Sequence, residues 1–298
     1  MDYANYYDFL RDRAQTSVLQ VYDWELKSAE VLAEFDHVIE APNWSKDGRA
    51  LYYNANGKIY RFDLAQKTER PVATGEADTC NNDHVLSPDG KAIAVSSGRG
   101  GDFMSRIYTV DLATGQSSLV TPQPHSYLHG WSPDGKTLAF CGAREHGGAL
   151  AWDVYTVPAA GGQELRLTTA EGLDDGPEYS PDGKYIWFNS ARTGLMQVWR
   201  MKADGGEQTQ MTFDEGMNAW FPHLSPDGER LVYLAYHRGD LQPGEHLPDK
   251  QVELRTIPVG GGEEKTLLKL FGGQGSINVN SWAPNSRQFA FVSYVAGR

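Results

Sequence analysis

Leu86-Ser87-Pro88-Asp89-Gly90 is the stretch that decides the fold, because close copies of it recur along the 298-residue chain. Proline presets φ at the second position of a β-turn. The Asp-Gly pair that follows tolerates the backbone conformations that the next turn positions require. Each copy precedes a short run of β-branched and aromatic residues, which is typical of a strand. We call the six copies anchors one to six: Trp44-Ser45-Lys46-Asp47-Gly48, Leu86-Ser87-Pro88-Asp89-Gly90, Trp131-Ser132-Pro133-Asp134-Gly135, Tyr179-Ser180-Pro181-Asp182-Gly183, Leu224-Ser225-Pro226-Asp227-Gly228 and Trp282-Ala283-Pro284-Asn285-Ser286.

The spacing between anchors predicts the architecture. From the serine (or Ala283) of one anchor to that of the next, the steps are 42, 45, 48, 45 and 58 residues. This period fits four short strands per blade of a β-propeller. We therefore predict an all-β fold, a six-bladed β-propeller of four-stranded antiparallel blades, with strands a to d counted from the channel outward. The predicted b strands are 50–53, 92–96, 137–141, 185–189, 230–234 and 288–292, and the predicted c strands are 58–64, 106–112, 153–158, 197–202 and 251–257.

The last blade is expected to close with strands from the other end of the chain. Only one predicted strand follows anchor six, whereas 18–23 and 31–35 read like strands c and d. Completing the last blade in this way leaves no open sheet edge. The predicted organisation is an N-terminal arm, 1–17, and a single propeller domain, 18–298.

Composition disfavours several classes of function. The net charge is −12 and the basic residues are scattered, so a nucleic-acid partner is not expected. Cys80 and Cys141 lack metal-site spacing and are expected to be free thiols, unless the fold brings them together as a disulfide. No apolar stretch approaches the length of a membrane helix, and no signal peptide is recognisable. We expect a monomer without membrane insertion, cytoplasmic as the sequence reads and periplasmic if a leader was removed.

The Ser-Pro-Asp-Gly turn with its following strand resembles the repeat of TolB-type propellers over roughly residues 18–295. The resemblance implies a binding role, since TolB proteins are periplasmic and bind the peptidoglycan-associated lipoprotein through one propeller face. It also implies an N-terminal α/β domain, which this sequence is expected to lack. Similar repeats occur in prolyl oligopeptidases, whose Gly-x-Ser-x-Gly nucleophile motif is absent from this sequence. Oligogalacturonate lyase is a further similar propeller, with histidines around a metal at the channel mouth.

The two faces of the predicted propeller differ. The anchors are a–b turns and make one short, regular surface, which we call the anchor face. The opposite surface, the loop face, carries the d–a connections and the b–c loops. All eight histidines are predicted at or just beneath the loop face, although the general preference of histidine for loops over strand interiors also favours this distribution. They are His37, His84, His125, His129, His146, His223, His237 and His246.

The residues just before each anchor are predicted to surround the channel mouth. They are rich in carboxylates, amides, imidazoles and aromatic rings, which suits a polyol, a sugar or a metal ion. The candidate ligand-binding residues are Glu40, Asn82, Asp83, His84, Tyr127, His129, Asp175, Glu178, Asn218, Trp220, His223 and Asn278.

A metal site is one possible use of this ring. His84 and His129 each stand three residues before an anchor serine on consecutive blades. With Asp83, Asp175 or Glu178 they form a candidate site for one divalent metal ion. The alternative is that each histidine hydrogen-bonds a neighbouring loop carbonyl. No other cofactor and no catalytic residue is predicted.

Two functions remain open from the sequence. The first is a binding platform, in which the loop face holds a protein partner or a small polar ligand such as a sugar. The long predicted b–c loop 236–250 is a candidate contact element or lid. The second is a metal-dependent carbohydrate-active enzyme, a lyase or hydrolase, with its site at the channel mouth.

Overall fold

The computed structural model describes residues 15–102, 104–242 and 244–296, which form 23 strands and no helix. Accordingly, none of these residues belongs to a helix that could cross a membrane. The strands are β1 (Gln15–Asp23), β2 (Ser28–Phe35), β3 (Glu40–Trp44), β4 (Ala50–Ala55), β5 (Lys58–Asp63), β6 (Thr68–Pro71), β7 (Thr79–Leu86), β8 (Ala92–Gly98), β9 (Arg106–Asp111), β10 (Ser117–Leu119), β11 (Ser126–Trp131), β12 (Thr137–His146), β13 (Ala149–Pro158), β14 (Leu165–Arg166), β15 (Asp174–Tyr179), β16 (Tyr185–Ser190), β17 (Gln197–Lys202), β18 (Thr209–Gln210), β19 (Met217–Leu224), β20 (Leu231–His237), β21 (Lys250–Thr256), β22 (Lys265–Gly272) and β23 (Gln288–Ala296).

These strands confirm the predicted six-bladed propeller. Blades one to five are four-stranded antiparallel sheets in simple chain order: β3–β6, β7–β10, β11–β14, β15–β18 and β19–β22. Blade six has the order β2-β1-β23, so N-terminal strands close the ring as predicted. Its innermost strand is reduced to one bridge between Trp282 and Phe289. The predicted arm, 1–17, lies outside the described residues except for its last three, which belong to β1.

The anchors form tight turns for the reason their sequence suggests. In anchors one to five the serine hydroxyl donates to the carboxylate of the aspartate two residues later, at 2.5 to 2.7 Å. The glycine of each of these turns has φ between +70° and +73°, the left-handed region that glycine adopts without steric cost. In anchor six, Ser286 takes this position at φ +58°.

Each inner strand of blades one to five contains a β-bulge, so the polar stretches before the anchors are irregular strands rather than loops. A bulge bends a strand and re-aims its side chains. Ala41, Gly176 and Phe221 have φ of +54°, +62° and +53° within these bulges. The register shifts fall between Glu40 and Asn43, Cys80 and His84, Leu128 and Gly130, Asp175 and Glu178, and Trp220 and His223.

The residues 273–280, which we call the central segment, fill the middle of the ring. The carbonyl of Gly275 accepts from the backbone N–H of Ala41 at 2.7 Å, which ties the segment to blade one. The side chain of Val279 packs with Ala41, Val85 and Trp131, which belong to three successive blades. The channel is therefore occupied by protein beneath the loop face.

The two cysteines are free thiols, as expected, and two anchor tryptophans connect blades. Cys80 and Cys141 are buried free thiols. The indole N–H of Trp131 donates to the Val85 carbonyl at 2.9 Å, and that of Trp282 donates to the His223 carbonyl at 3.1 Å. Both bonds join neighbouring blades.

Candidate functional site

A buried histidine–aspartate pair lies at the centre of the loop face. Nε2 of His129, on β11, is 3.0 Å from Oδ1 of Asp175, on β15, and both side chains are at most 10% exposed. Burial alone would lower the pKa of His129, but the Asp175 carboxylate outweighs it and raises that pKa. Burial likewise opposes ionisation of Asp175, but His129 lowers the pKa of that carboxyl to about 2. Each partner of the pair thus favours the charged form of the other.

His246 covers this pair from the b–c loop of blade five. Its Nε2 is 3.9 Å from Oδ2 of Asp175. Its ring centroid lies 4.7 Å from that of Trp220 and 5.3 Å from that of Phe221, and Phe221 stacks on His129 at 5.7 Å. Burial lowers the pKa of His246 to about 4, so its ring is neutral at pH 7. Neither His246 nor Phe221 was predicted as a site residue. The only sequence feature that pointed to His246 was its position in the long predicted loop 236–250.

A second carboxyl group, that of Asp83, comes from the bulge of β7. Burial raises the pKa of Asp83 to about 7; the His129 charge opposes this shift, and the carboxylates of Asp175 and Glu40 add to it. Glu40 accepts a hydrogen bond from Nδ2 of Asn54 at 2.9 Å. Acidic side chains from blades one, two and four, those of Glu40, Asp83 and Asp175, thus lie close enough to influence one another.

Glu178 and His223, also predicted as ligand-binding, form a hydrogen-bonded layer beneath this mouth. Glu178 accepts from Nδ1 of His223 at 2.7 Å, from Nδ2 of Asn280 at 2.7 Å and from the backbone N–H of Leu224 at 3.0 Å. Nε2 of His223 contacts the carbonyl of Ile277 in the central segment at 2.8 Å. These polar atoms are occupied by partners within the protein and join blades four, five and six.

His84 and His129, the candidate metal ligands, have different neighbours. His84 is fully buried beside the backbone of Tyr52, Asn81 and Ala41, and burial lowers its pKa to about 4. His129 instead faces Asp175 and Asp83. Within 15–102, 104–242 and 244–296, no three or more His, Cys, Asp or Glu side chains are arranged to hold a metal ion. The metal ion stays a prediction.

The other predicted residues line or support the mouth. Asn218 accepts from the backbone N–H of Met196 at 3.1 Å, and Tyr127 packs against Trp152 with ring centroids 5.9 Å apart. Three of these predicted residues have a buried side-chain N–H group without a partner among the described residues. These groups are Nδ2 of Asn82, Nε1 of Trp220 and Nδ2 of Asn278.

Fold and site together define a β-propeller with a closed channel and one polar mouth. The family model of the TolB beta propeller domain matches residues 102–297, and the chain belongs to this family. It is 41% identical over 280 residues to an uncharacterized protein of Agrobacterium fabrum, covering 93% of this chain and 92% of that protein. It is 29% identical over 209 residues to the Tol-Pal system protein TolB of Francisella tularensis, covering 69% of this chain and 47% of TolB. The chain thus spans about half the length of the TolB relatives it matches.

Solved structures share the fold to different degrees. An Agrobacterium tumefaciens protein provisionally described as TolB superposes with a TM-score of 0.88 at 40% identity, covering 94% of this chain and 99% of that one. TolB from Acinetobacter baumannii has a TM-score of 0.64 at 20% identity, covering 88% and 65%. An oligogalacturonate lyase in complex with manganese has a TM-score of 0.55 at 16% identity, covering 85% and 67%. At these lower identities the likeness is one of fold alone, and it gives the carbohydrate-enzyme hypothesis no support.

Proposed function

We propose that this protein is a binding platform whose loop face holds a protein partner. The observation that carries the proposal is the convergence of Asp83, His129 and Asp175, from three successive blades, at a mouth whose floor is closed by the central segment. A closed floor directs any ligand to approach from the loop face. The similarity to a Tol-Pal system protein supports a protein partner.

The thiol beside the mouth is not a reactive nucleophile. The thiol nearest to the pair is that of Cys141, which is 1% exposed. Burial, together with Asp175, raises its pKa well above the ordinary value. A reactive cysteine needs a lowered pKa and access to solvent. Cys141 therefore stays a protonated thiol.

A rigid hairpin in blade three forms one rim of the mouth. Strands β12 and β13 are ten residues long and are joined by Gly147-Gly148, whereas the b strands β4 and β16 have six residues. Leu150, near the hairpin tip, is 58% exposed. Leu150 would give a partner at the polar mouth an apolar contact.

The other rim is the b–c loop of blade five, which is held in place by buried contacts. Leu241 is 7% exposed and packs in the same core as Trp220 and Phe221. The carbonyl of Leu247 accepts from the hydroxyl of Tyr236 at 3.0 Å. The loop therefore carries His246 as part of a preformed surface, which lowers the entropic cost of binding.

Two leucines of the same blade test the proposal. Leu150 on the loop face and Leu165 on the outer strand β14 are both 58% exposed, so Leu150→Asp and Leu165→Asp are matched surface changes. Proteins captured from cells by the tagged chain are quantified by mass spectrometry. We expect Leu150→Asp to reduce the specific partner by about tenfold, the effect of losing a contact hot spot, and Leu165→Asp to leave it unchanged. Equal effects, or loss only with Leu165→Asp, would place the partner elsewhere.

A further inference from the structure

Two buried carboxyl groups meet at the mouth. Asp83 and Asp175 both face His129, and Oδ2 of Asp175 also lies 3.9 Å from Nε2 of His246. Asp83, Asp175 and His129 are at least 93% buried, so solvent screens interactions with these groups poorly. A cation placed between the two aspartates would be attracted to them.

Unpartnered N–H groups at the same mouth are an independent observation. Asn278 is 1% exposed, and its Oδ1 accepts from the backbone N–H of Gly275 at 2.7 Å while its Nδ2 has no partner among the described residues. Gly275 lies against Glu40, since a Cβ at this glycine would be 2.8 Å from Oε1 of Glu40. The backbone of Asn278 is also close enough to His129 to favour its charged form. The free amide N–H therefore belongs to the wall of the mouth.

Trp220 presents a second such group. It is 0% exposed, its Nε1 has no partner among residues that the structure describes, and its ring contacts His246 over Asp175. A buried N–H without an acceptor is costly, and a carbonyl oxygen is the acceptor that it most often binds in proteins. The mouth thus offers carboxylates to a cation and N–H donors to a carbonyl.

We infer that the mouth binds a peptide segment whose lysine or arginine side chain enters between Asp83 and Asp175, while carbonyls of the segment accept from Asn278 and Trp220. This inference rests on the proposed function and names the chemistry of the partner. A lysine or arginine residue carries both features, a cationic side chain and the carbonyls of its own backbone. His246, whose side chain is 26% exposed and lies over Asp175, shifts when the cation enters.

The test uses three capped tripeptides with the whole chain. N-acetyl-Gly-Lys-Gly-amide and its arginine analogue carry the cation, and the norleucine analogue has nearly the same shape without charge. Binding is measured by calorimetry near pH 8, and the ring signals of His246 and His129 are followed by NMR. We expect the cationic peptides to bind about tenfold or more tightly than the norleucine peptide and to shift the His246 signal.

Asp83→Asn and Asp78→Asn are matched variants of blade two. Asp78 is an exposed carboxylate just before β7, outside the mouth. Asp83→Asn is expected to reduce the preference for the cationic peptides about tenfold, and Asp78→Asn to leave it unchanged. The Asp83→Asn fold is not at risk, because the substitution removes a buried charge.

Three results would overturn the inference. They are equal binding of the lysine and norleucine peptides or no binding of either, undiminished preference in Asp83→Asn, and spermidine binding as tightly as the lysine peptide. The last would identify a site for a small free cation without need of a carbonyl. If any of these results occurred while Leu150→Asp still lost its captured partner, the proposed binding platform would be supported. Only the inference of a cationic peptide ligand would then be contradicted.

Discussion

Replacing Glu178 with alanine is expected to lower the free energy of unfolding by about 3–5 kcal/mol, because each buried donor left without an acceptor costs about 1–3 kcal/mol. Glu178 receives hydrogen bonds from His223, Leu224 and Asn280, which lie on blade five and on the connection into blade six. Alanine would leave Nδ1 of His223 and the backbone N–H of Leu224 buried without an acceptor, whereas Nδ2 of Asn280 would keep only the carbonyl of Leu224 at 2.8 Å. The measurement is the midpoint and slope of urea-induced unfolding, followed by tryptophan fluorescence.

Two further variants separate the hydrogen bonds from general effects of substitution. Glu178→Gln keeps the shape and one acceptor oxygen, so it should cost about 1–2 kcal/mol, as expected for neutral in place of charged hydrogen bonds. Glu171→Ala removes an exposed glutamate of the same blade and should change stability by less than about 0.5 kcal/mol. Equal losses in Glu178→Ala and Glu171→Ala would show that this layer does not join the blades.

Asp83→Asn is expected to have the opposite effect, a stabilisation that grows with pH. Burial raises the pKa of Asp83 to about 7 from the ordinary value of 3.8, so the folded protein retains a proton that the unfolded chain has lost. Stability therefore falls as pH rises from about 4 to 7, and the full penalty is present above pH 7. Asparagine carries no charge at any pH. The gain at about pH 8 has an upper bound of about 4 kcal/mol, from a shift of roughly three pKa units.

The pH dependence distinguishes this cause from a change in packing. The gain should vanish near pH 4, because Asp83 is then protonated in the folded state and costs no desolvation. The charged groups that face Asp83 are His129, Asp175 and Glu40, and they are present in both variants. Asp78→Asn, the exposed control, should change the melting temperature little at either pH. A gain of the same size at pH 4 and pH 8 would contradict the buried-charge explanation.

The fold was predictable because its signal is local and repeated. Each anchor is a turn set by its own residues, and the strand after it begins within one residue of its predicted start. The closure of the last blade by N-terminal strands was also predicted, because only one predicted strand follows anchor six. The strand ends on the loop face were less predictable, since β12 and β13 extend to His146 and Ala149 through a two-glycine turn. Apolar and polar residues do not alternate along 142–152 as they do in a typical half-buried strand. The length of β12 and β13 therefore depends on their pairing with each other.

The site was only partly predictable because it depends on contacts between blades. Asp174 and Asp175 are adjacent on β15 and face apart: Asp174 pairs with Arg192 at 2.8 Å and Asp175 with His129 at 3.0 Å. Which acidic residue would meet which histidine depends on the bulges, whose positions the residue pattern does not reveal. The bulge of β15 also places Glu178 beneath the mouth, although only three residues lie between Glu178 and Asp174. Asn278 of the central segment was predicted at the channel mouth, but the filling of the ring by residues 273–280 was not, because it depends on contacts with several blades.

The most direct test of the central claim, that the loop face is the binding surface, is hydrogen–deuterium exchange of the chain alone and in complex with its captured partner. The account predicts slower exchange in the blade-three hairpin, 144–152, and in the blade-five loop at 238–242. It predicts no change in the anchor turns at 89–91, 134–136 and 182–184. Protection of the anchor turns with unchanged exchange in the hairpin and the loop would contradict the claim.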